Sequence, residues 1–256
     1  MSRVYAVANQ KGGVGKTTTV VSIGAYLAAA AKRVLIVDAD PQANATSSLG
    51  IDRSQLRRSI YNALVGDASL ESTLTLTKRL GLDLIPAAPA LAGAEIELVS
   101  MMAREYRLRQ SLAPLRERYD YVLIDCPPSL GLLTVNALTA ADEVLIPVQC
   151  EYLPMEGLAQ LLRTIDLVRV NLNPQLAVRG LLMTMYDVRT SLSQQVVDEV
   201  RGHFPDKTFR TVVPRSVRLS EAPSYGEPIL DYSPTSPGGL AYQAVAEEII
   251  GGKGEP

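Results

Sequence analysis

The sequence predicts an α/β fold in which a mainly parallel, twisted β-sheet carries helices on both faces. Three observations predict it. Short apolar runs rich in β-formers alternate with longer segments of helical periodicity, the pattern of repeated βα units. The runs around Val34, Tyr121 and Glu143 are almost wholly apolar, as strands covered on both faces are. A glycine-rich loop joins the first apolar run to the first helical segment, and in open parallel sheets such loops lie at strand carboxyl ends, where ligands bind.

The elements follow in order. Val4–Asn9 is the first expected strand, and Lys16–Ala31 is a helix whose apolar run from Thr19 is interrupted by Ser22 and Gly24. Val34–Asp38 is a strand that Pro41 prevents from continuing regularly. A short helix over Ile60–Val65, a strand over Leu82–Ile85 and one long helix over Ala94–Leu115 come next. Strand Tyr121–Asp125 ends before Pro127-Pro128, and helix Leu132–Ala140 leads to strand Glu143–Val148. The remainder reads as helix Met155–Val170, strand Val178–Tyr186, helix Ser193–His203 and strand Phe209–Val213. Pro234 and Pro237 mark a loop over Ser233–Gly239 before a last helix, Gly239–Ile250, with residues 251–256 expected to fray. With 256 residues, 47% of them apolar, a single domain over 1–256 with one ample core is expected.

Lys11-Gly12-Gly13-Val14-Gly15-Lys16-Thr17-Thr18 carries the chemistry. Glycines let successive backbone N–H groups turn inward on an anion, and the following helix adds the partial positive charge of its N-terminus. In such a P-loop, Lys16 is placed to reach β- and γ-phosphates and the Thr17 hydroxyl to bind Mg²⁺. The usual pattern has glycine five positions before Gly15, where this chain has Gln10, and it carries an extra lysine, Lys11, inside the loop. A lysine at the loop entrance turns away from its own nucleotide more easily than toward it. It therefore has reach toward a nucleotide on another subunit; the alternative is a solvated loop lysine.

Composition narrows the function. A net charge of −2 excludes a protein that is basic throughout, so DNA contact requires a local patch. Two cysteines, Cys126 and Cys150, and one histidine, His203, argue against a Cys/His metal site and suit a reduced cytosolic compartment. No apolar run reaches membrane-spanning length, and Met1-Ser2-Arg3 runs straight into a strand, leaving no space for a signal peptide. A soluble, cytoplasmic protein is expected.

Lys-Gly-Gly-Val-Gly-Lys-Thr, then Val37-Asp38-Ala39-Asp40-Pro41-Gln42, then Ile124-Asp125-Cys126-Pro127-Pro128-Ser129, together resemble the deviant Walker A ATPases, and among them the ParA/Soj partition proteins. The resemblance runs from Val4 to about Ile250. It implies a single-domain P-loop NTPase that uses ATP and Mg²⁺. Gly12 through Thr18 would cradle the phosphates, with Lys11 and Lys16 as catalytic cations. Asp40 would position the attacking water near Mg²⁺, and Asp38 would support the metal or the loop. The alternative for both acids is that they only cap the following turn. Asp125, ending an apolar strand, would hold Mg²⁺ through water together with Thr17, and Pro127-Pro128-Ser129 would form a switch loop. Cys126 reads as a packed small residue. The nitrogenase iron protein shares this loop chemistry, but the cysteine spacing here does not match its cluster. By resemblance, Pro214, Arg215 and Ser216 lie against adenine, with Met183–Asp187, including Met185, closing the other side.

Between Arg179 and Arg218 stand seven basic residues against four acidic ones, a net charge of +3 in a chain of net −2. A second group, Arg104, Arg107, Arg109, Arg116 and Arg118, lies along or just after a helix. With no Trp and few aromatics among these arginines, contact with the backbone of double-stranded DNA fits better than base stacking. The resemblance gives DNA contact to Arg189 and Arg218, and Arg215 is a further candidate; ordinary solvated arginines are the alternative. It also implies an ATP-dependent homodimer, nonspecific and nucleoid-associated DNA binding, and slow hydrolysis stimulated by a ParB/Spo0J-type centromere-binding protein. Three alternatives stand beside this reading: a MinD-like membrane-associated division regulator, a related ATPase positioning carboxysomes or chemoreceptor clusters, and a metal-cofactor or scaffold insertase. The acidic, short C-terminal segment lacks the basic amphipathic helix of the first, and the cysteine placement disfavours the last.

Overall fold

In the computed structural model, which describes residues 2–151 and 155–252, the βα units pair into one seven-stranded sheet. The strands are β1 (Arg3–Val7), β2 (Val34–Asp38), β3 (Thr75–Leu76), β4 (Leu82–Ile85), β5 (Tyr121–Asp125), β6 (Glu143–Gln149) and β7 (Ala177–Thr184). Their spatial order is β3-β4-β2-β5-β1-β6-β7, parallel throughout except for the short antiparallel pair β3/β4. Residues 253–256 of the expected tail lie outside the described part.

Period-two alternation divides each central strand between two cores. Val4 and Ala6 of β1 and Leu35 and Val37 of β2 face helices α3 (Ile60–Val65), α4 (Leu91–Glu97), α5 (Arg107–Arg116), α6 (Leu132–Ala140) and α7 (Met155–Asn171). Tyr5, Val7, Val34 and Ile36 face α1 (Lys16–Ala29) and α11 (Pro237–Ile250). The two helices are tied by a 2.9 Å hydrogen bond between Thr19 Oγ1 and Tyr242 Oη.

Register is what builds the site. β5 lies between β1 and β2, with Val7 opposite Asp125 and Asp38 also opposite Asp125. All three strands therefore end at one level, delivering the loop after β1 and two carboxylates to one edge of the sheet.

Two expected elements differ. The helix over Ala94–Leu115 is interrupted: α4 stops at Glu97, 3₁₀ turns cover Leu98–Ser100 and Arg104–Tyr106, and α5 begins at Arg107. Met101 is extended and Ala103 has φ 52°, a left-handed conformation no helix accommodates. Asn136 of α6 stabilises the break from outside, donating to the Arg104 carbonyl at 2.8 Å and accepting from the Leu108 N–H at 3.0 Å. The expected strand Phe209–Val213 runs beside β7 without forming a ladder. Phe209 and Val213 donate to the Leu181 and Met183 carbonyls, but Arg210 and Thr211 donate to the Glu248 carboxylate at 3.0 and 2.8 Å. A side chain from α11 has taken the donors a strand would have used.

Four short elements carry little periodicity and stand outside the expected set: β3, α2 (Asn44–Ser48), α9 (Val217–Glu221) and α10 (Ile229–Tyr232). Of these, α9 lies beside the start of α1, where Leu219 shares a cavity with Thr18, and α10 packs farther along α1, near Val21 and Tyr26.

The run after α8 (Ser191–His203) reaches β7 only because residue 180 is glycine. A Cβ there would stand 2.9 Å from the Lys207 carbonyl oxygen and 3.0 Å from the Phe209 ring. Gly180→Ala is expected to lower stability by about 1–3 kcal/mol, as overpacking against backbone does, measured by urea denaturation. An unchanged midpoint would show that this segment yields freely.

Candidate phosphate-loop site

The loop after β1 turns on Gly13 (φ 74°) and Gly15 (φ 88°), left-handed positions open to glycine at no steric cost. Asn9 fixes its entrance: the side-chain amide donates to the Pro147 carbonyl at 2.6 Å and its oxygen accepts the Lys11 N–H at 3.0 Å. The far side is held by Thr184, whose hydroxyl donates to the Val14 carbonyl at 2.9 Å. The loop is thus tethered to β6 and β7 on both flanks. Gln10, the departure from the usual glycine, leaves its side-chain oxygen buried and unpartnered.

The two loop lysines differ in situation. Lys16 is buried, its ammonium 3.2 Å from the Lys11 carbonyl. Burial lowers its pKa, opposed chiefly by the Asp125 carboxylate. Lys11 is half-buried, and its ammonium makes no ion pair among the described residues.

Three carboxylates gather at this edge, with Asp125 and Asp40 acting on Lys16 and Asp38 acting on Asp125. Asp125 is fully buried; Oδ2 accepts from the Thr17 hydroxyl at 2.7 Å, while Oδ1 is buried with no partner. Burial first, then the charge of Asp38, pushes its pKa well above the usual carboxylate range. Asp38 is also fully buried, and its pKa is raised to about 6 by burial against hydrogen bonds from Thr46 and the Asp40 N–H. Both the N–H and hydroxyl of Thr46 bind Asp38 Oδ2, at 2.8 and 2.7 Å, and the same hydroxyl accepts the Ala87 N–H at 3.0 Å. Asp38 is therefore turned to α2, with both of its oxygens taken by backbone and hydroxyl donors. Asp40 is buried; Oδ1 accepts the Gln42 N–H at 2.9 Å, and Oδ2 has no partner among the described residues.

Three acids against one ammonium leave an excess of buried negative charge. A hard divalent cation would relieve it, and a hydroxyl plus an unpartnered carboxylate oxygen are the donors such a cation takes. The residues fit Mg²⁺, with Thr17 and Asp125 as the groups to hold it. Among the described residues no set of three His, Cys, Asp or Glu side chains is arranged to bind a metal ion, so phosphate and water must complete any shell. Cys126 and Cys150 are packed in the core, and burial pushes both thiols up, that of Cys150 to about 12.

Beside the loop opens a cavity of about 430 Å³, lined by Gly15 and Thr18, by Thr184 and Met185, and by Pro214 and Ser216. Met185 has φ 54°, a left-handed conformation that a non-glycine residue holds only when its surroundings impose it. Met185, Pro214 and Ser216 stand where the sequence expects them, as does Thr184 within the stretch 183–187; the bond from Thr184 to the loop has no local sequence signal. Asn9 and Thr46 were missed for the same reason.

The three nominated arginines lie apart from the phosphate loop, and each is paired. Arg189 binds Asp187 at 2.7 Å, Arg215 binds Glu151 at 2.6 Å while lining the cavity, and Arg218 binds Glu221 at 2.8 Å.

A parallel sheet with a glycine loop at its carboxyl edge, a buried lysine in that loop and an aspartate at the end of the neighbouring strand defines a P-loop nucleotide-binding protein. A family model described as an AAA domain matches residues 2–178. The chain belongs to this family and, within it, to the ParA/Soj P-loop ATPases. It is 55% identical over 249 residues to the sporulation initiation inhibitor protein Soj of Bacillus subtilis, covering 97% of this chain and 98% of the relative. It is 54% identical over 250 residues to the chromosome partitioning protein ParA of Caulobacter vibrioides, covering 97% and 94%. Among solved structures, the cobyrinic acid a,c-diamide synthase of Mycobacterium smegmatis with bound ADP and magnesium matches with a TM-score of 0.87 and 43% identity, over 99% and 98% of the two chains.

Thr46→Val removes the hydroxyl that bridges Asp38 and Ala87. A loss of about 2 kcal/mol is expected from the two buried groups left without a partner, read by thermal or urea unfolding. A second expectation follows from the raised pKa of Asp38. The folded carboxyl keeps its proton to higher pH than the unfolded one, so stability rises as pH falls through about 6 and is lost on the way up. The metal- and nucleotide-free protein should therefore resist urea better at about pH 5.5 than at about pH 7.5. Asp38→Asn should make that difference smaller, with the remainder belonging to Asp125, whose pKa is also raised; an unchanged difference in the variant would exclude Asp38 as a source.

Proposed function

We propose that this chain is an ATPase that pairs around bound ATP and, as that dimer, binds double-stranded DNA without sequence preference. It drives chromosome or plasmid partitioning together with a ParB-type centromere-binding partner. The observation that carries the reading is the contrast between the loop lysines. Lys16 is committed to its own cradle, whereas the ammonium of Lys11 stands at the loop entrance without an ion pair among the described residues. An amine so placed suits phosphate oxygens presented by a facing subunit. The partitioning names of the relatives and the ADP and magnesium in the mycobacterial neighbour support ATP and Mg²⁺ as ligands here.

Hydrolysis in this arrangement is positioning and charge neutralisation. Loop N–H groups and Lys16 hold the β- and γ-phosphates, and Thr17 and Asp125 hold the metal. Mg²⁺ supplies a charge that offsets the phosphates. Asp40, with one oxygen fixed by Gln42 N–H, directs the other at the attacking water and aims it in line. Lys11 from the partner neutralises charge as the bond to the leaving phosphate lengthens. The loop over residues 9–18 itself contains no arginine, which fits slow turnover until a partner protein intervenes. Arg189, Arg215 and Arg218 contact DNA phosphates, and doubling their number in a dimer steepens affinity. Among the described residues no helix is long and apolar enough to cross a membrane, and a cytoplasmic, nucleoid-associated protein follows from the proposal.

Mobility shift on random-sequence DNA with ATP, with ADP and without nucleotide, repeated across salt, tests this. Binding should require ATP and fall linearly in log K against log salt. Asp40→Ala should retain a DNA-bound dimer, while Lys11→Ala should bind ATP and sediment as a monomer. DNA binding indifferent to nucleotide, or a Lys11→Ala dimer, would overturn the mechanism; binding to liposomes in place of DNA would favour the membrane alternative.

A further inference from the structure

Helix α9 has two faces with different business. Val217, Leu219 and Ser220 line the cavity beside the phosphate loop, as does Pro223 just beyond the helix. Arg218 and Glu221 point away from that cavity into solvent, where they form an ion pair at 2.8 Å. Glu221 is not free to drift, because the Tyr232 hydroxyl of α10 donates to the same carboxylate oxygen at 3.0 Å. The Tyr232 ring is in turn stacked on Tyr225, with centroids 4.9 Å apart. An exposed arginine thus faces a carboxylate that a third residue holds in position, on a helix of five residues whose other side forms the wall of a ligand cavity.

Given the proposed DNA reading, on which this rests, we infer that Glu221 is a mask on Arg218, held by Tyr232 and shifted when a nucleotide base fills the cavity. Two physical effects make it a mask. The carboxylate occupies the guanidinium donors a phosphate oxygen would use, and its charge repels phosphate even when the pair opens. A helix this short moves as one body, so contact between a base and Leu219 or Ser220 carries Glu221 away from Tyr232, which belongs to another helix, and a carboxylate released from that anchor no longer holds the Arg218 donors in one geometry. The Tyr232 bond is the one that such a movement breaks. Arg189 with Asp187 and Arg215 with Glu151 repeat the pairing of arginine and carboxylate, but among the described residues only Glu221 has a second donor fixing it from a separate helix.

The test compares wild type, Glu221→Gln and Tyr232→Phe for affinity to random-sequence duplex DNA, with ATP and without nucleotide, alongside ATP hydrolysis and thermal melting. Glu221→Gln is expected to raise DNA affinity about three- to tenfold, since exposed pairs are individually weak and a dimer carries two. It should also steepen the salt dependence, and it should shrink the ratio of affinity with ATP to affinity without it. Tyr232→Phe keeps the stacked ring and should move affinity the same way by a smaller factor. Hydrolysis in the absence of DNA should stay within about twofold of wild type. Unchanged DNA affinity and unchanged nucleotide ratio in a folded Glu221→Gln protein would overturn the mask. So would weaker binding, which would make Glu221 a support of Arg218. If wild type binds no DNA in any nucleotide state and Arg218→Glu changes nothing, the DNA reading itself fails and the mask falls with it.

Discussion

Asp125 is the constraint around which the site is arranged. A carboxylate without water is unfavourable unless compensated, and this one is fully buried at the end of a central strand with one oxygen bonded and the other bare. Its bonded oxygen takes the hydroxyl of Thr17, the residue after the loop lysine, so the strand end and the start of α1 are fixed to each other. The bare oxygen faces a cluster with excess negative charge, which a divalent cation would complete. Strand register makes this possible, because β1, β2 and β5 all stop level with Asp125. A slip by one residue would turn Asp125 to the opposite face and leave a carboxylate in an apolar layer.

Around that point the loop is held by groups that carry no charge. Asn9 ties its entrance to β6 and Thr184 ties its middle to β7, while Thr46 occupies Asp38 and joins α2 to β4. The result is a cradle whose walls come from several neighbouring strands, with Lys16 and three carboxylates inside it. Such a division of labour suits phosphoryl transfer, where rigid placement of donors matters more than strong acids or bases.

Much of this was legible along the chain. Apolar runs of four residues, each closed by an aspartate, marked β2 and β5 because strands buried on both faces need no alternation, and the structure places both as expected. The phosphate loop and Asp125 were legible because backbone turning, cation and carboxylate are each demanded of particular residue types at fixed spacing. The long helix over Ala94–Leu115 misled because its periodicity continues through Ala103, whose left-handed backbone is held by Asn136 from another helix. Phe209–Val213 misled because β-rich composition does not reveal that Glu248 captures the intervening N–H groups.

By itself, then, the order of residues determined the fold class, the phosphate cradle and the acids at the strand ends, since each follows from local periodicity or from chemistry within a few positions. Tertiary structure alone decided which acid keeps a bare oxygen and which is taken by Thr46. It also decided that Met185 and Pro214 share a cavity, and that Arg218 is already occupied by Glu221. The physical reason is the range of the forces involved. Turn and strand preferences act over neighbouring residues, whereas burial, pKa and ion pairing depend on groups brought together from distant parts of the chain.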